Sequence, residues 1–389
     1  MRPSRRMLPG MPVSMPNVLA MLLMTLAAGL QGCSNNRGVP EAPPEPEPRA
    51  AAVGTVRLQS AAASILPLDL GIAVFDQGLD NQQQSTRVFP TVRKAESLLI
   101  PVTLSSYLDE SGAWGAVRVV YSNDVYMPMI LDGEILRADG AVLELQVRLR
   151  AADGSLLLER IYRDEATADD YPVTLGKEPF DDIYRAISND LLAVVQSLNE
   201  GQRQTLQRLS LMRFAAELSP SSFGRFVDST DAGRYSLLSF PADGDPMLQR
   251  LARVRRQDEL FIDAVDEQYA DLRGQVEESY ALWREYNYEL QRFGDDYRAT
   301  AVERKSTARR GSFAGMQQVY TSFSKVKIQE EDLRELVKGF SGESLETVLE
   351  VDDGVFRLSG SVQDRYAQWR QILTRINALE TGGQLAPSR

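Results

Sequence analysis

The side chains that most often carry catalysis are scarce in this sequence. Histidine is absent and cysteine occurs once, at Cys33. A Ser-His-Asp or Cys-His unit, a His-ligated metal and an intramolecular disulfide are therefore all excluded. Ser322-Phe323-Ser324-Lys325 has Ser-x-x-Lys spacing, but neither a Ser-x-Asn nor a Lys-Thr/Ser-Gly companion follows it. The adjacent acids Asp169-Asp170, Asp181-Asp182, Asp295-Asp296 and Asp352-Asp353 suit helix starts and turns. Neighbouring residues on a helix point about 100° apart, so such a pair does not present two converging carboxylates. A glycosidase needs two carboxyls about 5 to 9.5 Å apart in space, and 54 acids leave that pair unchosen. No Gly-rich phosphate loop, EF-hand loop or nucleophile elbow occurs. No catalytic residue, metal site or cofactor is therefore expected. A carboxylate-dependent hydrolase of cell-wall glycan is the enzymatic alternative to a non-enzymatic protein.

The surroundings of Cys33 carry more information. Arg2, Arg5 and Arg6 precede a thirteen-residue apolar stretch, Val18 to Leu30, short of the roughly 20 residues a spanning helix needs. Leu30-Gln31-Gly32-Cys33 closes that stretch. The arrangement resembles the lipobox of bacterial lipoproteins. The resemblance implies that residues 1–32 are a signal peptide, that Cys33 is the lipid-attachment residue, and that its new amino terminus is acylated as well. Ser34 stands where an Asp would imply inner-membrane retention, so the resemblance implies the periplasmic face of the outer membrane. At about 0.8 kcal/mol per buried methylene, three acyl chains make a durable anchor.

Removing residues 1–32 takes away three Arg and no acid, moving the net charge from −11 to −14. A field of that sign repels nucleic acid, so no nucleic-acid partner is expected. Of the 389 residues, 43% are apolar and 25% charged, a globular composition with enough apolar residues for two or three cores. Residues 33–53 read as a tether. Gly38 to Ala52 alternate Pro with Glu, which favours an extended chain without an apolar payload.

The expected fold class is α+β. Residues 54–178 form a β-α-β-β-β-β domain. Leu68, Leu70, Ile72 and Val74 alternate as a strand, and Thr91 to Asp109 has helical spacing that Pro101 must kink or split. Strands follow at Ala116–Tyr121, Met129–Leu136, Leu143–Arg150 and Leu156–Arg163. Asp139-Gly140 and Asp153-Gly154 are turn signals that join the last three into an antiparallel meander. Trp114 is expected in the core at the helix-to-strand turn. The order of elements, with GAWGAVRVV after the helix and DGEIL to LLLER in the meander, resembles the amino-terminal domain of TolB, the curli-secretion lipoproteins and transport-auxiliary lipoproteins. Relatives of that kind bind proteins, line export pores or accompany lipid transporters, and fold alone transfers none of those roles.

Residues 179–245 are expected as a helical connector, with one helix over 181–218. Residues 246–325 follow as a long helical rod or hairpin, opened by Asp245 as N-cap and Pro246. Eleven apolar and aromatic residues from Phe261 to Tyr297 recur at a mean spacing of 3.6, one stripe on a straight helix. The stripe is expected to face a core formed with helix 181–218, with the segment after Gly311, or with another protomer. Tyr280, Trp283, Tyr286 and Tyr288 could alternatively form an exposed stacking surface for glycan.

A basic island containing Arg304, Lys305, Arg309, Arg310, Lys325 and Lys327 interrupts the acidic chain and is the candidate contact with an anionic envelope surface. Residues 326–380 are expected as an α-β-β-α module. A helix at Glu330–Phe340 precedes strands Leu345–Val351 and Val355–Val362, and a helix over Asp364–Leu379 turns Tyr366, Trp369, Ile372, Leu373 and Ile376 inward. With DDGVFRLSGSV at its centre, the module resembles a BON-type module, which implies attachment to phospholipid or an envelope partner. Residues 381–389 are a tail. The functional expectation is a non-enzymatic outer-membrane lipoprotein that serves envelope assembly, transport or scaffolding. Its expected partners are the outer membrane through the Cys33 lipid and envelope proteins or peptidoglycan. Self-association is a further expectation, and a subunit of an oligomeric export channel, implied by the resemblance to the curli-secretion lipoproteins, is a second alternative function.

Overall fold

The computed structural model describes residues 50–62, 66–79, 90–123, 125–173, 177–242, 244–303, 347–351 and 354–381. Cys33, the tether, Arg304, Lys305, Arg309, Arg310, Lys325, Lys327, the Ser322–Lys325 motif and the helix expected at Glu330–Phe340 lie outside the described residues. The fold is mixed α+β, with one five-stranded sheet and two two-stranded sheets among the described residues.

Strand β1 (Leu70–Ala73) is buried along its whole length. Helix α1 (Pro90–Ser111) follows, then β2 (Val117–Val120), β3 (Met129–Ala138), β4 (Val142–Ala151) and β5 (Leu156–Glu165). The sheet order is β2-β1-β3-β4-β5, with β1 parallel to both neighbours. β3, β4 and β5 form the antiparallel meander expected from the sequence. Its turns contain Gly140 and Gly154, both with φ near +80° (79° and 77°), a backbone region that glycine enters without a Cβ penalty. Asp139 and Asp153 cap those turns by accepting the backbone N–H groups of Val142 and Ser155.

Pro101 does not split α1, which runs through it as one element. A proline lacks the N–H that would bond the carbonyl four residues back, here that of Ser97. That carbonyl accepts instead from the Phe75 N–H at 3.0 Å. The segment after β1 thus supplies the bond that Pro101 withholds.

Two cores meet at α1. On one face, Ile100, Leu104 and Leu108 pack with Leu131, Leu145 and Val147 of the sheet. Helix α2 (Asp181–Ser197) adds Ile183, Ile187 and Leu191 to this core, and Trp114 joins it at 8% exposure. On the other face, Ala95, Leu98, Leu99 and Val102 pack with Phe214 of α3 (Glu200–Leu218), with Phe261 and Val265, and with Tyr366 and Trp369. A helix buried on two sides needs apolar residues most of the way round, which is why the Thr91–Asp109 pattern is so rich in them.

The single helix expected over 181–218 is two, α2 and α3. Leu198 is extended between them and Asn199 caps α3. The Asn199 side chain accepts from the Gln202 N–H at 2.9 Å, and the Gln202 side chain accepts from the Asn199 N–H at 3.0 Å. This reciprocal box starts a new helix. Asn199→Ala should lower stability by about 1 kcal/mol, read as the shift in a urea unfolding midpoint. The connector is also less helical than expected. After the short α4 (Pro220–Phe223), β6 (Val227–Ser229) and β7 (Tyr235–Leu237) pair as a hairpin, whose three-residue strands are too short to reveal a period of two.

Helix α5 (Pro246–Glu303) is continuous over 58 residues, about 87 Å at 1.5 Å per residue. Asp245 caps it, accepting from the Met247 N–H at 2.8 Å. Asp295-Asp296 lie inside this helix rather than at a start or turn, because the helix contains no proline after Pro246. As far as Trp283 its stripe is core-facing. Phe261, Val265, Tyr269, Leu272, Val276 and Trp283 are all buried. Residues of the expected 181–218 region, Met212 and Phe214 of α3, and of the segment after Gly311, Tyr366 and Trp369, cover it, together with α1 and the edge strand β2, which were not expected. Asp266 of α5 accepts the Val119 N–H at 2.8 Å, and Asp263 pairs with Arg118 at 2.5 Å. Helix acids thus occupy the edge of β2, which would otherwise invite another strand.

Strands β8 (Thr347–Val351) and β9 (Gly354–Leu358) pair antiparallel, and α6 (Val362–Thr381) follows. Tyr366, Trp369 and Leu373 of α6 pack on Phe261 and Val265 of α5 in the second core. Ile372 is half-buried and packs against that core as expected, whereas Ile376, also half-buried, is not part of it.

Candidate functional site

A buried cluster of polar side chains lies between α1 and α5. Arg93 and Glu96 sit on a buried face of α1 at 2% and 1% exposure. Arg93 Nε is 3.1 Å from Glu96 Oε2, and Arg93 also donates to the Ile135 carbonyl at 2.9 Å. From α5, the Tyr280 hydroxyl donates to Glu96 Oε1 at 3.0 Å. Burial pushes the Glu96 carboxyl up to about 7, against the opposing pull of Arg93 and Tyr280. The Tyr280 ring stacks on Trp283 with centroids 5.9 Å apart and lies 4.5 Å from the Arg284 guanidinium. Arg284, also buried, binds Glu178 at 2.5 Å.

The β3–β4 hairpin positions this part of α5. A Cβ at Gly140 would sit 2.3 Å from the Arg284 carbonyl oxygen, so only glycine lets the turn approach the helix this closely. The Tyr171 hydroxyl donates to the Gly140 carbonyl at 2.5 Å, and its ring stacks on Tyr288 with centroids 4.7 Å apart. Gln291 of α5 donates to the Asp139 carbonyl at 3.0 Å.

Beside this cluster is a cavity of about 400 Å³, walled by α1, α5, α2 and the segment before α2. That volume is within the usual range for small-molecule sites. Tyr184 of α2, 3% exposed, lines it with its ring stacked on Tyr107. Arg284 also lines it, and its buried Nε has no hydrogen-bond partner. Glu277, Glu278 and Glu285 line the α5 side.

The sequence-predicted site residues are not here. Cys33 and the six basic residues lie outside the described residues. Of the proposed glycan-stacking aromatics, Trp283 is buried at 3% exposure, and Tyr280, Tyr286 and Tyr288 are half-buried. With Tyr280 bonded to Glu96 and Tyr288 stacked on Tyr171, they do not form an exposed platform. Sequence reasoning missed Arg93, Glu96, Glu178, Tyr184 and Arg284. The available signal was an ionisable pair three residues apart within an apolar helix, and an arginine beside the aromatic stripe.

Fold and site together define a mixed α+β protein braced by one long helix, with a desolvated Arg-Glu-Tyr cluster at the brace. No protein-family model matches the chain, and no curated protein matches it significantly.

Proposed function

We propose that this chain is a non-enzymatic outer-membrane lipoprotein, anchored through Cys33 and acting in the periplasm as an envelope assembly, transport-accessory or scaffolding factor. The observation that carries the reading is Leu30-Gln31-Gly32-Cys33, with the sole cysteine directly after a basic start and a short apolar stretch. The Pro/Glu-rich segment at Gly38–Ala52 supports it, because such composition spaces a folded body from a surface. The packed helix stripe supports it too: the aromatics of α5 up to Trp283 hold elements together rather than offer a sugar-stacking face. The partners in this reading are the outer membrane through the lipid and envelope proteins or peptidoglycan through the basic island. Self-association belongs to the same reading.

Cell fractionation tests the placement. The wild-type chain is expected in the outer-membrane fraction and Cys33→Ser in a soluble fraction, with equal thermal unfolding of the two. Equal membrane retention of both chains would remove the anchor from the account.

A further inference from the structure

Residues 50–62 cross the surface as a strap with no regular secondary structure and no fully buried residue. The rest of the chain holds them by their backbone. The Val53 N–H donates to the Arg163 carbonyl at 2.7 Å, and the Ala61 N–H donates to the Ser111 carbonyl at 2.7 Å. Between these ends α2 presents Asp182, Arg185 and Asn189, three and four residues apart and so on one face. Asp182 accepts the Val56 N–H at 2.8 Å, and Arg185 donates to the Val56 carbonyl at 3.5 Å. Asn189 binds twice, accepting the Gln59 N–H at 2.8 Å and donating to the Arg57 carbonyl at 2.9 Å. Among the described residues no strap side chain makes a hydrogen bond or an ion pair. Val53 and Ala61 pack against the first core.

A segment held in this way is a docked peptide, and α2 carries its receptor. The body proper starts at Leu66 and Pro67, whose carbonyls accept from Arg203 at 3.5 Å and from Gln207 at 3.1 Å, both on α3. Ala62 and Leu66 are four residues apart, a link of at most about 14 Å. Exchange of an identical element across a short hinge repeats every native contact in the partner, so it is a low-cost route to a dimer. The strap suits such exchange because its groove reads backbone groups and two small apolar side chains.

We propose that the groove of Asp182, Arg185 and Asn189 takes the strap of a second copy, so that two chains exchange residues 50–62 and form a dimer. The proposal rests on the self-association in the proposed function and gives it a surface. Copies anchored on one membrane meet at raised effective concentration, which favours exchange over the closed monomer. The short link requires the two bodies to touch beside Ser111, where the docked strap ends.

Native mass spectrometry of full-length Cys33→Ser chains tests the exchange without the lipid, so its failure leaves the anchor standing. One chain carries Val53→Asp and Gln59→Pro, which charge a packed position and remove the N–H that Asn189 accepts. The other carries Asp182→Ala and Asn189→Ala. Each alone lacks either strap or groove and is expected as a monomer. Their mixture is expected to give a mixed dimer, the intact strap of the second chain in the intact groove of the first. Adding Asn189→Ala to the first chain removes two hydrogen bonds and should weaken that dimer at least about tenfold. A monomeric mixture, or as much dimer in the separate chains as in the mixture, would overturn the proposal and leave the strap a clasp within one chain. Gln59→Pro alone, which keeps both packed side chains, is the second strap variant, and its unfolding curve is expected to match that of the Cys33→Ser chain.

Discussion

Trp369→Ala is expected to destabilise the protein by about 3–5 kcal/mol, the usual cost of emptying a buried aromatic site. Trp369 is fully buried, packs edge-on against Phe356 of β9 with ring centroids 5.9 Å apart, and belongs to the core that α6 shares with α5. Its loss removes the largest side chain that joins β8, β9 and α6 to the long helix. Trp369→Phe should cost much less. The Trp369 Nε1–H has no partner, so removing it relieves an unsatisfied donor and offsets part of the lost volume. Urea unfolding of both variants measures the difference. A loss below about 1 kcal/mol for the alanine variant would mean that α6 does not dock as described.

A second large effect concerns pH. The folded-state pKa of Glu96 is raised from 4.5 to about 7 by burial, and that of Asp164 from 3.8 to about 6, also by burial. A carboxyl with a raised pKa binds its proton more tightly in the folded than in the unfolded state. Its contribution is therefore fully present below the unfolded value and is lost as pH rises through the folded one. The contribution of these two groups should fall between about pH 4 and 7, with Glu96 accounting for roughly 3 kcal/mol, since one pKa unit is about 1.4 kcal/mol. Glu96 meets Arg93 on its own helix, Tyr280 and Arg284 on α5, and Asp139 at the β3–β4 turn. Glu96→Gln removes the group with the larger shift and should reduce the slope over that window, most of all above about pH 6 where Asp164 has finished titrating. The slope is the diagnostic, because the substitution also takes the charged partner from buried Arg93. Urea midpoints at a series of pH values check it, and an unchanged slope in the variant would place the titration elsewhere.

The sheet was legible because period-two alternation and Asp-Gly turns are local signals. The meander strands Met129–Ala138, Val142–Ala151 and Leu156–Glu165 extend the expected ones by no more than two residues at either end. The stripe on α5 was legible for the same reason, because helical spacing names the buried face. Of what covers that face, the helix within 181–218 and the segment after Gly311 were expected and do pack there, whereas β2 and α1 were not. Edge strand β2 and α1 are more than a hundred residues away in sequence, and periodicity carries no information about distant partners. Pro101 misled because its missing N–H predicts a break, whereas Phe75 compensates for it from another element. For Glu96 and Arg284 the local signal, an ionisable pair in an apolar helix and an arginine beside the stripe, does not by itself separate a desolvated charge from the many solvated ones. Arg284 becomes distinctive only when Gly140, Glu178 and Tyr280 close around it.

Mass spectrometry of the amino-terminal peptide of the protein isolated from its own membranes tests the central claim most directly. The expected chain begins at Cys33 and carries three acyl chains, with residues 1–32 gone. An unmodified chain that still begins at Met1 and is recovered from the cytosol would contradict it.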